Sequence, residues 1–123
     1  MDTRSLVSVV DDDESVRESL PDLLREFGFA VQPFKSGEEF LASEYLEQTK
    51  CLILDIAMPG MSGFDVQSEL KNRKQQIPIV FITAHKDETA RPSVFEEGAV
   101  ACLLKPFSDT ALLQAMRTAL GVN

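Results

Sequence analysis

A chain of 123 residues that is 44% hydrophobic has the size of one domain and enough apolar material for a core without staples. Its formal net charge of −8 argues against direct binding to nucleic acid or an anionic membrane, both of which need a Lys and Arg excess, and leaves proteins and cations as the expected partners. The polar first five residues are too short for a signal peptide and no apolar run could span a bilayer, so a cytoplasmic protein with no membrane partner is expected; Cys51 and Cys102, with His85 as the sole histidine, cannot supply four zinc ligands and read as reduced core residues.

Short apolar runs at 6–10, 30–34, 51–54, 79–82 and 101–104 are strand candidates, and three of them, SLVSVV, CLIL and IVFI, are near-continuously apolar, as central parallel strands covered on both faces should be. Helix-period segments lie between them. Val16, Leu20, Leu23, Leu24 and Phe27 line one face of a first helix that Gly28 should close. Ser36 with Glu39, and Ser62 with Asp65, form S-x-x-[E/D] starts for the second and third. A fourth helix should end at Gly98 and begin near Pro92, because proline belongs in a first helical turn, leaving 84–91 as a long loop. Ser108 can cap a fifth, striped by Leu112, Leu113, Met116, Ala119 and Leu120. This order gives an α/β domain, (βα) five times, built as a doubly wound five-stranded parallel sheet with ligands beyond the carboxyl ends of the strands.

The polar residues gather on that edge. Asp11 and Asp12 end the first strand, Asp55 the third, Thr83 the fourth and Lys105 the fifth. If the first and third strands are neighbours, three carboxylates converge between low-dielectric walls, a destabilising arrangement that a hard divalent cation such as Mg²⁺ resolves. Lys105 adds a compact positive charge and Thr83 a hydroxyl, which is what a phosphoryl group beside a metal would need. Asp13 or Glu14, by contrast, needs no role beyond helix capping and dipole chemistry.

The segments VVDD, LDIAMPGMSG, FITAH and LLKPF, in this order and spacing, make residues 7–120 resemble the receiver domain of two-component response regulators, with an ending most like the FixJ-like branch. The resemblance implies a three-layer sandwich of the flavodoxin-like and CheY-like kind over a single domain, residues 1–123. It implies that Asp55 is the phosphoacceptor, that Asp11, Asp12, Asp55 and the backbone carbonyl of Ala57 hold Mg²⁺, that Thr83 is the switch hydroxyl, and that Lys105 pairs with the phosphoryl group through a cis Lys105-Pro106 bond. The implied partner is a sensor histidine kinase or histidine phosphotransfer protein, with a phosphorylation-dependent homodimer as a further option. The chain is then a switch rather than an enzyme, changing the face of the fourth helix, fifth strand and fifth helix. It would regulate transcription through a helix-turn-helix effector domain that this chain does not contain.

Two departures from the family pattern give further expectations. Ala57 is too small to direct the water that hydrolyses an acyl phosphate, which leaves His85 to set its lifetime, and Cys102 stands where most receivers carry an aromatic switch residue. Cys102 is expected to be a small core residue with no rotation of its own. The alternatives are a single-domain relay or adaptor receiver and a receiver-like module that is never phosphorylated. A phosphatase of the haloacid-dehalogenase type would want an acid where Ala57 stands, and a flavodoxin would want a phosphate loop where DDDES stands.

Overall fold

The computed structural model describes residues 4–84 and 99–121. The expectations for the fourth helix, Pro92, the 84–91 loop and His85 fall wholly or mainly outside these residues. Among them are five parallel strands, β1 (Leu6–Val10), β2 (Ala30–Phe34), β3 (Cys51–Asp55), β4 (Ile79–Thr83) and β5 (Ala101–Leu104), in one sheet of order β2-β1-β3-β4-β5. β3 and β4 each run one residue beyond the predicted apolar segment, so Asp55 and Thr83 are the last residues of their ladders. The switch in strand order falls between β1 and β3, where Val10 stands opposite Leu54. Asp11 and Asp55 therefore emerge side by side.

Helices cover both faces because β1, β3 and β4 are apolar on both. Odd residues of β1, Val7 and Val9, pack with Cys51, Ile53, Val80 and Ile82 under α1 (Glu14–Glu26) and the C-terminal helix (Asp109–Leu120). Leu52, Leu54 and Phe81 face the other way, toward α2 (Gly37–Leu41) and α3 (Gly63–Asn72). Cys102 lies buried in this second core and Cys51 in the first, neither of them in a disulfide.

The predicted helix ends are realised by named hydrogen bonds. Asp13 caps α1 by accepting from the Ser15 N–H, and Gly28, at φ 97°, closes it with the Gly28 N–H on Arg25 O and the Phe29 N–H on Leu24 O, the two bonds of a Schellman motif. Ser62 and Asp65 complete a reciprocal capping box, while Ser36 and Ser108 accept from the N–H groups of Glu39 and Ala111. Pro21 sits buried inside α1 without ending it. The peptide bond between Lys105 and Pro106 is cis.

The C-terminal helix buries Leu112, Ala115 and Met116 and packs Ala119 and Leu120 against the same core, so four of the five predicted stripe residues face inward, and Ala115 takes the place of the half-buried Leu113. Leu112→Ala should therefore cost about 2–5 kcal/mol, and Leu113→Ala clearly less, in paired denaturant titrations.

Candidate functional site

The site is assembled from the ends of four strands, β1, β3, β4 and β5, and the start of α1. Asp11 follows β1, its N–H donating to Phe34 O at 3.1 Å. Its side chain is fully buried: Oδ1 accepts from the Asp13 N–H at 2.9 Å and Oδ2 from Lys105 Nζ at 2.8 Å. Asp55 is buried at the end of β3, with Oδ2 4.0 Å from Lys105 Nζ. Asp12 is exposed beside them. One carboxylate oxygen from each of Asp11, Asp12 and Asp55 lies within 4.8 Å of the others, and Thr83 is buried at the end of β4, where its carbonyl accepts from the Lys105 N–H at 2.7 Å. Five predicted site residues, Asp11, Asp12, Asp55, Thr83 and Lys105, thus meet at one edge. The exposed Ala57 follows, its backbone N–H turned to the Asp55 carboxylate.

Electrostatics explain the pairing. Burial, then the charge of Asp11 and a hydrogen bond with it, push the Asp55 carboxyl from 3.8 up to about 7, against the opposing pull of Lys105 and the Ala57 N–H. Burial alone would lower the Lys105 pKa, but its hydrogen bond to Asp11 and the charges of Asp55 and Asp11 outweigh that and raise it. Asp13 goes the other way, held below the ordinary value by the hydroxyl and N–H of Ser15. The oxygen-only donor set, crowded enough that one carboxyl holds its proton near neutrality, fits a hard divalent cation such as Mg²⁺.

Two residues that sequence reading did not single out shape the site. Gly63 opens α3 against the end of β3, with its N–H on Ile56 O at 2.9 Å; a Cβ there would lie 2.5 Å from Asp55 O and 2.9 Å from Ile56 Cα. Arg17, at the end of the first turn of α1, donates through Nη1 to Asp11 O at 2.9 Å. Neither carries a short-range signal, since each depends on a neighbour that only the folded chain brings close.

The family model for the response regulator receiver domain matches residues 7–117. The chain belongs to the response regulator receiver domain family. It is 45% identical over 114 residues to nodulation protein W of Bradyrhizobium diazoefficiens, covering 93% of this chain and 50% of that protein. It is 43% identical over 119 residues to response regulator protein TodT of Pseudomonas putida, covering 97% and 52%. Among solved structures, the response regulator StyR superposes with a TM-score of 0.90 at 46% identity over 97% of this chain and 60% of that one, and FixJ-N with 0.86 at 36% over 97% and 95%. The receiver domain spans about half the length of the curated relatives it matches. As the sequence implied, this is a two-component receiver with the CheY-like doubly wound sheet.

Two outcomes follow from this geometry. A carboxyl raised from 3.8 to about 7 contributes stability below its ordinary value that is lost as pH rises through about 7, so ionised Asp55 destabilises the metal-free receiver. In chelator-treated protein, Asp55→Asn should gain melting temperature over wild type as pH is raised from about 4 to 7, with the smallest difference at the acid end. Gly63→Ala should lose about 1–3 kcal/mol in chemical denaturation, since the two nearest obstacles, Asp55 O and Ile56 Cα, are backbone atoms with little room to yield.

Proposed function

We propose that this receiver accepts a phosphoryl group on Asp55 from a phosphohistidine of a sensor histidine kinase or histidine phosphotransfer protein. The observation carrying the reading is the convergence of three carboxylates within 4.8 Å of one another around a lysine ammonium that touches one of them and stands 4.0 Å from Asp55. An Asp55 oxygen attacks phosphorus, the P–N bond breaks as the P–O bond forms, and the imidazole nitrogen leaves with the electron pair. Asp11, Asp12, Asp55 and the Ala57 carbonyl are the groups that would hold Mg²⁺, which supplies charge stabilisation for the transferring phosphoryl oxygens.

The remaining steps belong to the chain. Lys105 changes partner: in the resting domain its ammonium binds Asp11, and a phosphoryl group on Asp55 would offer a stronger anion within a short swing of the side chain. The Thr83 hydroxyl then follows the phosphoryl oxygens, shifting the equilibrium of the segment beyond it. Its relatives are named as response regulators and transcriptional regulatory proteins, which supports this receiver's acting as the input half of a transcription regulator. The signal would then pass to an effector domain through a change of interface or a phosphorylation-dependent homodimer.

Intact-mass analysis after acetyl phosphate treatment should show one phosphate adduct on wild type, and none on Asp55→Asn or on wild type in excess chelator; an adduct on Asp55→Asn at the wild-type rate would refute the assignment. Lys105→Met should bind Mg²⁺ several-fold more tightly by titration calorimetry, because the ammonium no longer competes for Asp11, while its phosphate uptake slows.

A further inference from the structure

We infer that Arg17 is a positioning residue for the metal-binding turn, fixing the peptide plane that joins Asp11 to Asp12; the inference rests on the reading of these two carboxylates as Mg²⁺ ligands. A peptide unit is rigid, so the carbonyl of Asp11 and the N–H of Asp12 turn together. Three successive planes lead from β1 into α1. The first is held by the Asp11 N–H on Phe34 O at 3.1 Å. The third is held by the Asp13 N–H on Asp11 Oδ1 at 2.9 Å. The middle one, which sets the direction of the Asp12 Cα and hence of its carboxylate, is held by Arg17 Nη1 on Asp11 O at 2.9 Å.

The choice of residue is informative. Helical side chains lean toward the N-terminus, so a long side chain at the end of the first turn of α1 can reach back six residues to the strand end. The hold uses a carbonyl oxygen and no carboxylate oxygen, and so leaves the acids open to a cation. The link through Asp11 Oδ1 has no such independence, because a metal drawing on that carboxylate competes with the Asp13 N–H and with Lys105. Arg17 is half-buried, and its guanidinium lies close to the acidic turn.

Charge and position make opposite demands, and this separates them. If Arg17 acted only as a nearby positive charge, removing it would relieve repulsion and tighten Mg²⁺ binding. If it positions the ligands, removing it must weaken binding even though a repelling charge has gone. Loss of an outer partner that orients metal ligands typically costs 10- to 100-fold in affinity, and a hold on the backbone should fall at about the lower end.

The test is Mg²⁺ titration calorimetry on folded protein, with no phosphodonor present. Arg17→Gln is expected to bind about tenfold more weakly than wild type, and Arg17→Lys, which keeps a donor without the guanidinium fork, to fall between them. Leu23→Ala, a half-buried residue of the same helix far from the turn, should lower the melting temperature while leaving Mg²⁺ affinity within about twofold. Equal or tighter binding by Arg17→Gln overturns the inference, as does an equal loss in Leu23→Ala, which would trace the effect to helix stability. Should Arg17→Gln fail to fold, Arg17→Lys decides alone: affinity at or above wild type overturns it. A wild type that binds no Mg²⁺ would overturn both the metal-site reading and this inference, whereas failure in the variants alone leaves that reading intact.

Discussion

The Lys105 ammonium lies 2.8 Å from Asp11 and 4.0 Å from Asp55, at the carboxyl edge of a sheet whose central strands are buried on both faces. At that edge the backbone ladders of β1 and β3 run out together, and the chain has placed carboxylates where burial penalises charge. Removing one partner of such a pair leaves an uncompensated buried ion, so the rest of the edge is arranged around keeping this one satisfied. Lys105 is itself tied to β4 through its N–H on Thr83 O, and the pair spans 94 residues of sequence to close the carboxyl edge of the sheet. The site is therefore part of what holds β1 and β5 in relation to each other.

Around that pair, the backbone is held more tightly than the side chains require. The turn from β1 into α1 is pinned from Phe34, Arg17 and Asp13, and the step from β3 into α3 is closed by a glycine with no room for a side chain. The contrast with Asp12, exposed at the rim, is functional in the reading given above: fixed main chain and a partly free carboxylate suit a cation that retains several waters and arrives with its substrate. The free carboxylate can adjust while the frame does not.

Much of this was legible in the residue pattern. Uninterrupted apolar runs such as CLIL and IVFI can only be central parallel strands if helices cover both faces, and they do. Caps at Asp13, Ser62 and Ser108 follow from local hydrogen-bond chemistry, which short spacings encode. Placing Asp11 beside Asp55 needed only the strand order. The attachments of Lys105 and Arg17 were different: sequence could give Lys105 a charge at this edge, but which carboxylate it chooses depends on distances that the whole sheet determines. Gly63 reads as one more loop glycine until the end of β3 is packed against it. Ala115 was passed over in the C-terminal helix because a small side chain gives a weak periodic signal, although it is buried.

The unequal exposure of the ion pairs bears on how the domain meets changes of ionic strength. Arg25 and Asp22, with side chains 48% and 81% exposed, and Arg73 and Glu69, at 41% and 35%, lie where mobile ions can intervene, and their attraction fades as salt rises. Lys105 and Asp11 are 19% and 0% exposed, and little electrolyte can come between them. The domain carries its own counter-ion at the place where its charge is most concentrated. A rise in salt would weaken the helix-surface pairs first and leave the Lys105–Asp11 pair at the acidic edge the least changed.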